Sequence, residues 1–132
     1  STFRNRRGSV SEPRLPMQAI RPAQIDDWSR QAAEALPEGQ LPLVLDVREP
    51  WELQTASVRA EGFELMPMPM RSVPARLNEL DRDRPIACLC HHGMRSAQVV
   101  HFLLNNGFTQ VVNIHGGIDA WSRERDPGVP VY

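Results

Sequence analysis

No stretch of this chain approaches the roughly 20 consecutive apolar residues that a helix needs to cross a bilayer, so a membrane-spanning helix is not expected. The opening segment Ser1–Arg7 (STFRNRR) lacks the apolar core of a secretory signal. An excess of one charge sign is also missing: the formal net charge is -1 over 132 residues. That leaves no strong field to gather nucleic acid or a membrane surface, and neither is an expected partner. Cysteine is scarce. Cys88 and Cys90 are the only two, and a bond between residues so close in the chain would be strained. Free thiols in a reducing compartment, and hence a cytoplasmic location, are the expectation. Metal-ligand pairs are lacking too. Cys88, Cys90, His91 and His92 form one cluster, but a zinc site commonly needs a second pair. His101 and His115 lie too far along the chain for the usual spacing, so no metal is expected.

What remains is one domain's worth of chain. Residues 1–16 are rich in Arg, Ser and Pro and nearly free of apolar periodicity, which reads as a flexible arm. A transit peptide is the alternative for such an Arg- and Ser-rich start. Residues 17–132 form the expected domain. Ile25, Trp28, Ala32 and Leu36 recur at helical spacing between Pro22 and Pro37. Leu43–Val47 is a continuous apolar run of strand length, as in a buried parallel sheet. A short helix is expected from Glu49 to Ser57, and a strand from Glu64 to Met68 that Pro67 and Pro69 push toward an edge. Val73, Leu77 and Leu80 predict a helix, with Ser72 as N-cap and Pro74 in its first turn. Ile86–Cys90 reads as a strand. Ala97, Val100, Leu103 and Leu104 mark the core face of the next helix, which Gly107 ends. A strand over 110–114, a helix over 118–124 and a Pro-punctuated tail over 126–132 complete the pattern. Strands alternating with helices predict an α/β fold, a three-layer α/β/α domain with a central parallel sheet of four or five strands. Trp121 and Trp51 read most simply as core, with the pocket mouth as an alternative place for Trp51.

Ligands in such sheets sit at the carboxyl ends of strands. Asp46–Arg48, Cys90 and His115–Gly117 all fall there. Cys90 ends an apolar run, and Gly93, Arg95 and Ser96 lead from it into a helical run. A cysteine in that position sits among unpaired N–H groups at the positive end of a helix dipole, which favours its nucleophilic thiolate. The amides of 91–96 would form an anion cradle, with Gly93 permitting the tight turn. Arg95 would add charge for an anionic donor, and one of His91 and His92 would face the sulfur. Cys88, inside the strand, reads as core. Four residues separate Cys90 from Arg95, one fewer than in the cysteine-phosphatase signature. The shorter loop suits a single added sulfur better than a phosphate.

Three segments together resemble the single-domain rhodanese (thiosulfate sulfurtransferase-like) family. They are Leu43–Glu49 (LVLDVRE) with Pro50, Trp51 and Glu52; Cys90–Ser96 (CHHGMRS); and Val111–Trp121 (VVNIHGGIDAW). The likeness runs over about residues 18–132 in the family's order. One departure is Val58–Met70 (VRAEGFELMPMPM), where many members carry a Gly-His-Ile-Pro-Gly-Ala stretch.

The resemblance implies that Cys90 is the catalytic nucleophile and carries a persulfide. His91, His92, Gly93, Met94, Arg95 and Ser96 would bind the substrate, and Asp46 and Arg48 would brace the loop. It implies sulfur transfer from a small anionic donor such as thiosulfate to cyanide, a small thiol or a protein thiol. No cofactor is implied. A monomer is the expectation, since no exposed apolar stripe stands out. Two alternatives stay open: a Cys-dependent phosphatase or arsenate reductase of related fold, and a non-catalytic rhodanese-like interaction module.

Overall fold

The computed structural model describes residues 18–132, so the arm expected over 1–16 lies outside the described residues. Five parallel strands are present: β1 (Ala19–Ile20), β2 (Leu43–Asp46), β3 (Glu64–Pro67), β4 (Ile86–Leu89) and β5 (Val111–Ile114). They lie in the order β1-β5-β4-β2-β3. Four of the five were legible as apolar runs. The fifth, β1, is only two residues long and pairs with the edge of β5, Ala19 opposite Asn113 and Ile20 opposite Ile114. Four helices cover the sheet: α1 (Ile25–Glu34), α2 (Pro50–Thr55), α3 (Met94–Asn105) and α4 (Gly117–Glu124).

The period-2 alternation of strand side chains splits the core into two layers. Leu43 and Leu45 of β2 and Ile86 and Cys88 of β4 join Val99, Val100 and Leu103 of α3 on one face. Val44, Ala87 and Leu89 join Ile25, Ile118 and Trp121 on the other. β2, β4 and β5 are buried along their whole length, as expected of strands covered on both sides. Chain order reverses between β2, whose chain runs on to β3, and β4, whose chain runs on to β5. That places the ligand crevice of an open α/β sheet at the carboxyl ends of these two central strands.

Three local expectations need correction. The helix over 73–80 is absent; short 3₁₀ turns at Met70–Ser72 and Leu77–Glu79 take its place. Most bonds here close over three residues, such as Val73 N to Met70 O and Leu80 N to Leu77 O, the closure of 3₁₀ turns. Ser72 does not cap: its hydroxyl donates to the Pro69 carbonyl. The apolar residues still reach the core, with Val73 and Leu80 buried. On α3, Val99 is buried in the role expected of Leu104, which is exposed. Trp51 is no core residue at 63% exposure.

Trp121 is 1% exposed and meets Phe63 edge-to-face, with centroids 6.0 Å apart. Trp121→Ala is expected to cost about 3–5 kcal/mol, read as a lowered denaturant midpoint at unchanged slope.

Candidate active site

Cys90 follows the last residue of β4, and the next residues turn back to start α3. Gly93 caps that helix in the left-handed region, at φ 104°, which a side chain would strain. The turn is fixed from the far side by α4. The amides of Ile118 and Asp119 donate to the carbonyls of Cys90 and His91 at 2.8 and 3.1 Å, so two of the otherwise unpaired donors at a helix start hold the loop. The approach demands glycine at 117: a Cβ there would lie 2.4 Å from each of those carbonyl oxygens.

Cys90 is buried at 1% exposure. Its Sγ accepts the Gly93 N–H at 3.0 Å and lies 3.2 Å from Ser96 Oγ. The Ser96 hydroxyl donates to Asn113 Oδ1 at 2.5 Å, and Asn113 Nδ2 donates to the Gly93 carbonyl at 3.1 Å. Asn113 therefore orients the hydroxyl and ties the loop to β5. This residue was not foreseen. Its signal was a polar side chain inside an apolar strand, which must find partners when buried. Cys88 is enclosed, and burial pushes its thiol far up, with the charge of Cys90 adding to the effect.

The expected charge on Arg95 is engaged. Its guanidinium makes a two-pronged pair with Glu52, at 2.6 and 2.8 Å. Glu52, only 3% exposed at its side chain, also accepts the Tyr132 hydroxyl at 2.7 Å and the Glu49 amide at 3.0 Å. The Arg95 bond above all holds its carboxyl down at about 2. Burial pushes the Tyr132 phenol up to about 12. Glu52 and Tyr132 were also missed. Glu52 sits three residues after Glu49 in a capping-box pattern, a local signal that says nothing of Arg95; nothing in the sequence points to Tyr132.

The side chains of Asp46 and Arg48 make no hydrogen bond to residues 90–96, so any bracing by them is indirect. Arg48 pairs with Asp46 at 2.9 and 2.8 Å and donates to the Ala56 carbonyl and the Tyr132 hydroxyl, both at 2.9 Å. Its link to the loop runs through Tyr132 and Glu52 to Arg95. His91 stacks between His92 and Tyr132, each centroid 3.9 Å away. Met94 points outward at 77% exposure, so it contributes to the loop through its backbone. Among the described residues no group of His, Cys, Asp and Glu is arranged to hold a metal ion, and no helix is long and apolar enough to cross a membrane.

This geometry sets a buried cysteine in a helix-start cradle at the switch point of an α/β sheet. The sequence pattern of the rhodanese-like domain matches residues 29–124, and the chain belongs to that family. It is 31% identical over 105 residues to a sulfurtransferase of Allochromatium vinosum, covering 78% of this chain and 90% of that protein. It is 29% identical to the thiosulfate sulfurtransferase GlpE of Vibrio cholerae, covering 73% of this chain and 87% of that one. A crystal structure of a rhodanese-related protein from Thermoplasma volcanium superposes with a TM-score of 0.67 at 31% identity, over 87% of this chain and 99% of that one. Other curated relatives are longer, and the chain spans 26–30% of their length. These relatives support sulfurtransferase activity in general terms.

Two outcomes follow from the geometry. Gly117→Ala is expected to displace the loop and to abolish Cys90 modification by an alkylating reagent selective for the site, while Gly39→Ala, which strains its own turn at φ 87° but meets nothing within 4 Å, leaves the loop in place. The Glu52 carboxyl is held below its unfolded value, so its pair is fully stabilising above the ordinary carboxylate range and is lost as pH falls toward about 2. The stability gap between the parent and Glu52→Gln is therefore expected to close over that window, measured by thermal unfolding at a series of acid pH values.

Proposed function

We propose that this protein is a sulfurtransferase that moves a sulfane sulfur from thiosulfate or a similar donor to a thiophilic acceptor, through a persulfide on Cys90. The observation that carries this reading is the Gly93 amide donating to Cys90 Sγ, in a loop with four residues between Cys90 and Arg95.

Cys90 thiolate attacks the outer sulfur of thiosulfate. A new S–S bond forms, the donor's S–S bond breaks, and its electron pair leaves with sulfite. Cyanide, a small thiol or a protein thiol then attacks the transferred sulfur, and Cys90 thiolate is the leaving group. This is covalent catalysis in ping-pong order. The Gly93 N–H stabilises charge on sulfur in both steps, as a preorganised donor does, while Ser96, its hydroxyl turned to Asn113, meets the sulfur through its oxygen. His91, His92 and Arg95, with the backbone of Met94, complete the loop that would face the donor. Asp46 and Arg48 act at a distance, by fixing α2 and Tyr132. The reading includes a small anionic sulfur donor and a thiol acceptor as partners, a monomeric chain and a cytoplasmic location.

Intact-protein mass spectrometry tests it. Wild type treated with thiosulfate is expected to gain one sulfur, which cyanide removes, and Cys90→Ala is expected to gain none. A chain that gains no sulfur but hydrolyses an aryl phosphate through Cys90 would return the phosphatase reading. One that does neither, and binds a partner equally well as Cys90→Ala, would be an interaction module.

A further inference from the structure

We propose that Asn113 is a positioning residue: it holds the hydrogen of the Ser96 hydroxyl away from Cys90 Sγ, so that the empty thiolate is penalised and a sulfur on Cys90 is retained. The inference rests on the sulfurtransferase reading above and names what sets the loaded state of that same site.

The direction of the hydroxyl follows from the amide. Asn113 Nδ2 donates to the Gly93 carbonyl at 3.1 Å, and a carbonyl can only accept. The amide is thereby fixed, with Oδ1 toward Ser96 Oγ at 2.5 Å. Oδ1 can only accept as well, so the single hydrogen of the Ser96 hydroxyl lies on that bond. Toward Cys90 Sγ, 3.2 Å away, Oγ presents lone pairs. Ser96 and Cys90 are 0% and 1% exposed, so bulk water reaches neither.

The sulfur therefore meets one donor and one acceptor. The Gly93 N–H, at 3.0 Å, favours a charged sulfur. Oγ favours a thiol, whose S–H it can accept, and a bond to the neutral form disfavours the charged one. A thiolate has two courses. It faces lone pairs across the same short distance, or it draws the hydroxyl round and leaves Oδ1 without a partner inside the fold. A persulfide escapes this cost. Its Sγ is a neutral bridging sulfur, and the negative charge sits on the outer sulfur, one bond removed from Sγ. Asn113 thus weighs against the empty thiolate and in favour of the loaded form. When cyanide unloads the site, its carbon bonds to the outer sulfur, the S–S bond breaks, the electron pair returns to Sγ, and thiocyanate leaves. That returning charge is what the Ser96 oxygen resists.

The titratable and charged groups on the neighbouring elements are untouched by the variants below. They are Cys88 on β4, Arg95 on α3 paired with Glu52 of α2, Asp119 of α4 paired with Arg123, and the stacked His91, His92 and Tyr132.

The pH midpoint of Cys90 alkylation by iodoacetamide tests the placement, read by peptide mass in the wild type, Ser96→Ala, Asn113→Ala and the double variant. Each single variant is expected to lower the midpoint by about one pH unit. Asn113→Ala is expected to add nothing once Ser96 is gone, because its effect runs through the hydroxyl. A second arm measures the ratio of loaded to empty Cys90 at a fixed thiosulfate-to-sulfite ratio, at a pH above all the midpoints. That ratio is expected to fall about tenfold in Ser96→Ala, the equivalent of one pH unit. A Ser96→Ala midpoint at or above that of the wild type would mean that the hydroxyl donates to the sulfur, and would overturn the inference. So would an equal effect of Asn113→Ala with and without Ser96, the mark of a merely structural tie to Gly93. Ser96→Ala removes one oxygen and carries the sign by itself if Asn113→Ala does not fold. Equal loading of Ser96→Ala and wild type would overturn the retention. A wild type that takes no sulfur would overturn the sulfurtransferase reading and the retention with it, while the alkylation arm judges the direction of the hydroxyl independently.

Discussion

The close approach of two backbone segments governs this molecule: the carbonyls of Cys90 and His91 rest against the first amides of α4, with only a hydrogen at Gly117 to separate them. The contact joins the loop after the central strand to the helix after β5. It sets the direction in which the chain leaves β4, and so the point at which Gly93 can turn it into α3. Once that turn is made, the Gly93 amide and the Ser96 hydroxyl fall on the same sulfur. Asn113 closes the circuit from the strand side, bonded to both the hydroxyl and the loop. The cradle is thus a product of packing between three elements, and its precision comes from backbone atoms that have little freedom to move.

Around this frame lies a second, polar layer with a different task. Asp46, Arg48, Glu52, Arg95 and Tyr132 form a chain of bonds from the end of β2 to the mouth of the loop. Buried charges of this kind persist only when each finds a partner, and here each one does. The network fixes α2 and the C-terminal Tyr132 against the loop. Its two arginines and two carboxylates balance in formal charge.

Much of this was legible in the sequence, and for clear reasons. Leu43–Val47, Ile86–Cys90 and 110–114 are apolar runs of strand length, and Cys90, Gly93 and the Gly116–Gly117 pair mark strand ends and tight backbone. The two-residue β1 was not legible, because an edge pairing that short leaves no periodicity. The segment 70–80 misled because its apolar spacing suits a helix, and short 3₁₀ turns bring Val73 and Leu80 to the core just as well. Leu104 and Val99 exchanged roles through a small rotation of the helix face, a matter that spacing alone cannot decide between neighbours. At the site, the nucleophile and its loop followed from local order along the chain. Asn113, Glu52 and Tyr132 did not, since their partners lie 17, 43 and 80 residues away and only the folded chain brings them together.

Cys88 gives the proposed chemistry a time dimension. It stands two residues behind the nucleophile, on the same face of β4, yet it is fully enclosed and burial keeps it a thiol. A thiol within reach could resolve a loaded Cys90 into a disulfide and expel the sulfur within the same molecule. Here the neighbouring thiol is kept protonated by burial, a bond between residues so close in the chain would be strained, and it is the only other thiol in the chain. A sulfur placed on Cys90 has no internal exit. Under the proposed chemistry the loaded protein would behave as a courier, and the moment of delivery would belong to whichever acceptor arrives from outside.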